Sequence, residues 1–327
     1  MKPYWPIFVV VALLATVPFV TASNVILNFL ITTLLIALAG QGWNLLGGYG
    51  GQYSFGHAAF FGTAAYTTAI LQVQYGINAW LGLIAGIFAG ALVGAVIGAL
   101  CFRSGLRGSY FSLVTLAFAE VLRILSSVAP ITGAGVGTLI KLDLRPEAFQ
   151  FQSRVPFYWI ALALVAVSLL IVRVAENSRF GAYLVAIREN EDAAGALGIN
   201  TFAVKLVAIT VSAAITAAAG CFYAQYFLFI DAAIAYGPWI SIDALLAPIV
   251  GGAGTLFGSL LGAVVIKALG EATKLLTGDA PGLDLVIYGL VLIAVVGLAP
   301  RGVAGFIAAL FQGRSVRVFD KPGHDHG

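Results

Sequence analysis

Residues 78–102 read NAWLGLIAGIFAGALVGAVIGALCF, an apolar run without a charged side chain. The run is long enough for a helix to cross the hydrocarbon core of a bilayer, which takes about 20 apolar residues. Glycine recurs at every fourth position, at Gly82, Gly86, Gly90, Gly94 and Gly98. At helical spacing these glycines share one face, which predicts close packing against another helix of the same chain, with packing between subunits as the alternative.

The apolar character extends through the whole chain. Of the 327 residues, 61% are hydrophobic and 9% are charged, and the mean hydropathy is +1.00. These values lie outside the range of soluble globular proteins. The length leaves room for about 8–10 spans with short loops. The sequence therefore predicts an all-α fold, a polytopic helical membrane protein surrounded by membrane lipid.

Hydrophobic runs and the breaks between them predict ten spans. They lie near residues 5–22, 25–46, 54–75, 78–102, 109–129, 156–174, 203–229, 238–250, 259–275 and 284–299. The first run follows Lys2, so it also resembles a secretory signal peptide, although retention as a span is favoured. We predict one transmembrane domain over residues 1–305, with a long loop at about 175–203, and a cytoplasmic tail over residues 306–327.

The distribution of Lys and Arg predicts the orientation of the spans. If the N-terminus is cytoplasmic, eleven of the seventeen lie in inside segments, four in outside segments and two within spans. This excess predicts that both termini lie in the cytoplasm. The formal net charge of +3 is small and no basic run is present, which excludes nucleic acid as a partner. Cys101 and Cys221 lie in apolar surroundings and are interpreted as packing residues, and no metal site is predicted.

The most polar part of the chain follows the sixth predicted span. Residues 179–200 read RFGAYLVAIRENEDAAGALGIN, which predicts one helix of about four turns that ends at a Gly-x-Asn stop signal. Charged residues followed by small ones suit a helix that enters a cleft on another protein. A solvated helix at the membrane interface is the alternative.

Two segments are broken by glycine, residues 47–56 and 251–258. Irregular backbone at membrane depth has to pack inside protein or line a cavity, and a pair of broken segments points to a transport path. In this interpretation the candidate path residues are Gly50, Gln52, His57, Gly252 and Gly254. The alternative is that both segments are ordinary cytoplasmic turns, and that His57 forms a hydrogen bond with a neighbouring helix.

Two opposite charges occur within the fifth predicted span. Glu120 and Arg123 are three residues apart, a helical spacing at which the two groups can neutralise each other. Because charges inside a membrane are costly, the pattern predicts an intramembrane ion pair. Contact with a substrate is the alternative.

Several stretches resemble the LivM-type permeases of branched-chain amino acid ABC transporters. Residues 43–62 read WNLLGGYGGQYSFGHAAFFG and are similar to the family's signature stretch, and residues 108–120, 178–198 and 251–258 follow in the family's order. The pattern Asp192-Ala-Ala-x-x-x-Gly198 resembles the cytoplasmic coupling loop of ABC importer permeases, with Asp in place of Glu.

The resemblance implies a permease subunit that translocates leucine, isoleucine, valine or related amino acids and amides. It also implies a second, related permease subunit in a heterodimer, two cytoplasmic ATPase subunits that bind ATP and Mg, and an extracytoplasmic substrate-binding protein. The residues it places in the ATPase-coupling helix are Arg188, Glu189, Asp192, Ala193, Ala194 and Gly198.

Energy for transport is expected from other subunits. The chain contains no Gly-x-x-x-x-Gly-Lys-Ser/Thr phosphate loop, so we expect it to be neither an enzyme nor the holder of a cofactor. A sugar-type ABC permease and a gradient-driven secondary transporter are the alternatives. The second is weakened because no array of intramembrane carboxylates suggests an ion relay.

Overall fold

A computed structural model describes residues 2–21 and 23–277, together with isolated residues between 283 and 305. Within this part of the chain almost all regular structure is helical. The helices are α1 Trp5–Ala15, α2 Val17–Val20, α3 Asn24–Trp43, α4 His57–Tyr75, α5 Ala79–Arg103, α6 Gly108–Val128, α7 Arg154–Asn177, α8 Arg179–Glu189, α9 Glu191–Ala196, α10 Thr201–Phe227, α11 Ala232–Ala235, α12 Pro238–Gly251 and α13 Gly258–Thr277. A π-helical segment, Asn44–Tyr49, continues α3.

Six described helical stretches are long and apolar enough to cross a membrane. They are Asn24–Tyr49, Ala79–Arg103, Gly108–Val128, Arg154–Asn177, Thr201–Phe227 and Ala232–Gly251. The shorter apolar stretch Trp5–Val20 precedes them, and α4 and α13 pack among them. These helices confirm the all-α polytopic fold. Most of the last predicted span, residues 284–299, and the whole predicted tail, residues 306–327, lie outside the described residues.

The centre of the bundle is formed by α3, α4 and α10, with α5 packed against α4 and α10. The glycine face of α5 explains this contact. A side chain at Gly90 would place its Cβ 2.5 Å from the Cβ of Ala217 in α10, and one at Gly86 would lie 2.5 Å from the sulfur of Cys221. The predicted packing within the chain is therefore confirmed. Both cysteines are free and buried, as their interpretation as packing residues requires.

Loops that are predicted to lie on the same side of the membrane are found at the same end of the bundle. At one end Lys2 binds Glu176, and Arg107 binds Asp192. We call this the coupling end, because it also holds α8 and α9, which contain most residues of the predicted coupling helix. At the opposite end, the far end, the indole Nε1 of Trp80 donates to the carbonyl of Pro146 at 2.9 Å.

The long loop between α6 and α7 lies folded on the far end. Its strand β1, Thr138–Leu139, pairs antiparallel with β2, Phe229–Ile230, in the connection after α10. Phe149 is fully buried and stacks on Trp80 with ring centroids 4.4 Å apart. The loop is thus held by hydrogen bonds and apolar contacts to the helices beneath it.

Candidate functional site

The polar segment at the coupling end consists of two helices, α8 and α9, which meet at Asn190. The backbone of Asn190 is extended, with φ −159° and ψ 106°, and its side-chain oxygen accepts a hydrogen bond from the Ala193 N–H at 3.0 Å. The prediction of one continuous helix is therefore wrong, because an Asn that caps a second helix ends the first. The predicted stop at Gly198 is confirmed by its left-handed φ of +85°.

The short helix α9 has one exposed face. The Asp192 side chain is 81% exposed, Ala193 is exposed, and a side chain at Gly195 or Gly198 would meet nothing within 4 Å. Ala194, by contrast, is only 3% exposed. Of the two alanines predicted in the coupling helix, only Ala193 is therefore available to a partner, while Ala194 seats α9 on the protein.

Glu191 anchors α9 to two other parts of the bundle. Its Oε1 lies 2.5 Å from Nζ of the buried Lys205 in α10, and its Oε2 lies 3.3 Å from Nε of Arg107, just before α6. The Lys205 ammonium group also lies over the ring of Phe102, 4.7 Å from the ring centroid. Arg107 also donates to Asp192 at 2.8 Å, and this hydrogen bond, with the charge of Glu191, raises the pKa of the Arg107 guanidinium. No sequence pattern marks Glu191, Lys205 and Arg107 as a group, because they come from three separate segments of the chain.

Arg188, the penultimate residue of α8, points toward the first glycine-broken segment. Its Nη1 donates to the carbonyl of Gly48 at 3.1 Å, and its Nη2 binds Glu189 Oε1 at 2.8 Å. A side chain at Gly51 would place its Cβ 2.6 Å from Cγ of Arg188, and Gly51 has a φ of +67°, so both the approach and the backbone require glycine. Arg188 thus links α8 to this segment instead of lying on the exposed face of α9.

The two glycine-broken segments touch each other beside the end of α8. Asn44, the first residue of the π-helical segment, accepts a hydrogen bond from the Gly254 N–H and donates one to the Thr255 carbonyl, both at 2.8 Å. A side chain at Gly48 would place its Cβ 2.5 Å from the Gly254 nitrogen. The pair predicted from separate parts of the sequence therefore forms one junction, and Asn44 holds it together.

The other candidate path residues lie next to this junction. A side chain at Gly50 would place its Cβ 3.2 Å from Leu184 of α8. Gln52 is buried, and its Nε2 donates to the Gly50 carbonyl at 3.3 Å. Gly252 follows the last residue of α12 with a φ of +122°. The structure brings the three candidate glycines and Gln52 to one region between α3, α8 and α12.

Residues 50–56 lead from the junction to α4 with irregular backbone. The indole Nε1 of Trp43 donates to the Ser54 carbonyl at 2.8 Å, and the Phe55 N–H donates to Oγ1 of Thr115 in α6 at 3.1 Å. Backbone of this kind is tolerated at membrane depth only where protein supplies the hydrogen bonds. Side chains of α3 and α6 supply them here.

His57, the first residue of α4, is fully buried. Its Nε2 lies 3.0 Å from Oγ of Ser212 in α10, and the neighbouring Ala58 N–H donates to Oγ of Ser241 in α12 at 2.9 Å. Ser212 lies seven residues beyond Lys205, about 10 Å along α10, so α4 begins inside the bundle. The contact with Ser212 agrees with the alternative of a hydrogen bond to a neighbouring helix, and a place on the path stays a prediction.

Glu120 and Arg123 form the ion pair that their spacing predicts. The Arg123 Nε donates to Oε2 of Glu120 at 2.9 Å, and its Nη2 donates to Oε1 at 2.6 Å. The two side chains remain 48% and 32% exposed. The pair therefore lies on a side of α6 that the described residues do not cover.

The described residues form a bundle with six apolar helices long enough to cross a membrane, which defines the class of polytopic helical membrane proteins. The profile of the family described as branched-chain amino acid transport system / permease component matches residues 25–296, most of the chain. The protein belongs to this family of transport permeases.

Three relatives agree with the family assignment. The high-affinity branched-chain amino acid transport system permease protein LivM of Escherichia coli K12 is 29% identical over 303 residues, covering 83% of this chain and 68% of the relative. The LivM of Salmonella typhimurium LT2 is 27% identical over 302 residues with the same coverage. The probable ABC transporter permease protein YphD of E. coli is 30% identical over 142 residues, 42% of each chain. No solved structure matches the chain.

Proposed function

We propose that this chain is one permease subunit of an ATP-binding-cassette importer for leucine, isoleucine, valine or related amino acids and amides. A second, related permease completes a heterodimer, two cytoplasmic ATPase subunits bind ATP and Mg, and an extracytoplasmic binding protein delivers the substrate. The family description and the names of the LivM relatives support the substrate class.

The observation that carries the proposal is the attachment of α9. This helix has an exposed face of small residues around Asp192, which suits close approach by an ATPase subunit. Its other face is tied to α10 through Lys205 and to the start of α6 through Arg107. A displacement of α9 would therefore be transmitted to the two membrane-spanning helices α6 and α10.

A second link joins the coupling end to the glycine junction. The guanidinium of Arg188 holds the Gly48 carbonyl, and Gly48 lies against Gly254. Movement of α8 and α9 on ATP binding would pull on this junction and change the closure of the coupling end. Together with opening at the far end, this gives alternating access of the path between the two sides.

The coupling end lies in the cytoplasm in this proposal, with both termini of the chain on the same side. The eleven Lys and Arg residues in the predicted inside segments, against four outside, support this orientation in a bacterial inner membrane. The ATPase subunits would then contact Asp192, Ala193 and Gly198 from the cytoplasm, with Ala194 beneath them.

Uptake of radiolabelled leucine by proteoliposomes tests the proposal. The vesicles would hold this chain with its second permease and ATPase subunits, with the binding protein on the far side. We expect uptake that requires both ATP and binding protein, and competition by isoleucine and valine. Uptake without ATP would establish a gradient-driven carrier, and competition by a sugar instead would establish a sugar-type permease.

The coupling role of α9 is tested separately by Gly195→Trp. A side chain at Gly195 meets nothing within 4 Å, so the indole would leave the fold intact and block close approach to the exposed face. We expect at least a tenfold loss of ATP-dependent uptake. Gly270→Trp is the matched control, because Gly270 in α13 also has open space around it. Equal uptake by the two variants would contradict the coupling role.

A further inference from the structure

One side of α6 is left uncovered by the described part of the chain. Its exposed residues recur at helical spacing and include both apolar and charged side chains. They include Leu113, Leu116, Ala117, Glu120 and Ile124, and these five residues are called the α6 face.

The exposed side of α5 provides a comparison within the same protein. Both helices bury 28% of their span residues. Apart from Arg103 at the end of the helix, the exposed residues of α5 are large and apolar, as lipid contact requires, and include Leu81, Ile84, Phe88, Leu92 and Val96. The α6 face differs from them because it contains Glu120, with Arg123 beside it.

The ion pair lies well inside the span. Glu120 is twelve residues after Gly108 and eight before Val128, about 18 Å and about 12 Å from the two ends of α6. Arg123 reaches back toward Glu120 and the middle of the helix, so it does not extend to the membrane surface as a snorkelling side chain would. Ionisable groups at this depth face protein or water in membrane proteins, and lipid is excluded.

We infer that the α6 face is the surface on which the second permease subunit packs, an inference that rests on the proposed function. Arg123 uses two of its five N–H donors on Glu120, so the pair still offers donors and acceptors to a neighbour. The partner helix is expected to present an amide, hydroxyl or charged side chain at the depth of Glu120, among apolar side chains that fit Leu113 and Ile124.

Two further observations support a second subunit as the occupant. The start of α6 is bound to α9 through Arg107, so the helix that would meet the partner also meets the coupling region. Gly302, a described residue beyond the last predicted span, lies against Gly252 at the end of α12, where a side chain would place its Cβ 2.5 Å from the Gly252 nitrogen. Gly302 itself therefore lies at the end of α12.

Site-specific photo-cross-linking in the assembled transporter tests this surface. The photo-reactive amino acid p-benzoylphenylalanine would replace Ala117 or Ile124 on the α6 face, and Phe88 or Leu92 on α5 as matched controls. We expect at least fivefold more adduct with the second permease subunit from the α6 positions than from the α5 positions. Mass spectrometry of the adducts identifies the cross-linked molecule.

Any other adduct overturns the inference. Adducts with lipid only, with a second copy of this chain or with this chain's own C-terminal part would each assign the α6 face to another occupant. Equal yields from α5 and α6 would do the same. The leucine uptake assay separates this result from the proposed function, because a cross-link to the second permease can form whatever solute the complex carries.

Discussion

The consecutive helices α5 and α6 are equally exposed but are held in different ways. α5 presses five glycines against α4 and α10, so that backbones meet at van der Waals distance along most of its length. α6 is held by single side-chain contacts, such as Thr115 to the Phe55 N–H and the Arg107 that precedes it to Asp192. The difference predicts that α5 is a fixed part of the bundle, while α6 can respond to α9 and, in the proposed assembly, to the second permease subunit.

The largest effect is expected from filling the glycine face of α5. Gly90→Leu would force apart α5 and α10, and overpacking of this kind costs about 3 kcal/mol at the upper end of its usual range. We expect the yield of folded protein in fluorescence-detected gel filtration to fall at least tenfold. Ala117→Leu on the α6 face is the control and should fold normally. Normal folding of Gly90→Leu would contradict the fixed role of α5.

A smaller but still large effect is expected from releasing α9. Glu191→Gln leaves the ammonium of the buried Lys205 without its counter-charge and loosens Arg107, so α9 loses its hold on α10 and α6. We expect about a tenfold loss of leucine uptake while the ATPase activity of the complex persists. Asp192→Asn, at an 81% exposed side chain, should lose less. Equal loss in the two variants would show that Glu191 has no special anchoring role.

The ion pair on α6 distinguishes the two helices most directly. Glu120→Gln leaves Arg123 unpaired inside the membrane, and we expect about a fivefold loss of assembled complex in co-purification with the second permease. The double variant Glu120→Gln/Arg123→Gln removes both charges and should recover to within about twofold of the original. If the single variant assembles normally, the pair does not lie at a dry interface.

The smallest effect is expected at the loop that joins the two helices. Arg107→Ala removes the links to Asp192 and Glu191. Because the Arg107 side chain is 52% exposed and Glu191 keeps its bond to Lys205, the loss of folding free energy should stay below about 1 kcal/mol. We expect a threefold loss of uptake with an unchanged melting temperature. Arg103→Ala is the control, since Arg103 forms no ion pair with the described residues. A similar loss in both variants would remove the proposed link between α6 and α9.

Periodicity was sufficient to predict the parts of the fold that depend on one segment at a time. The four-residue glycine repeat predicted the packed side of α5, because residues at this spacing share a helix face wherever the helix lies. The stop at Gly198 and the pairing of Glu120 with Arg123 were also predictable, since each depends on neighbours within one or two turns.

The sequence did not predict structure that depends on how two helices meet. Asn190 stands between Glu189 and Glu191 in a stretch that suits a helix, and its capping role becomes visible only when α9 turns away from α8. From its neighbours along the chain alone, Arg188 would be expected to be exposed. Its contact with Gly48, 140 residues away, depends on how α3 and α8 meet.

Composition and pattern alone determined that this chain is a helical membrane protein with a polar segment at one end, because the bilayer restricts spanning segments to long apolar helices. Tertiary structure alone decided that the two glycine-broken segments touch and that Glu191 lies between Lys205 and Arg107. It also decided that α6 has a charged side that the described residues leave uncovered. Those contacts join segments far apart in the chain. Their geometry follows from helix packing, which short-range sequence patterns do not encode.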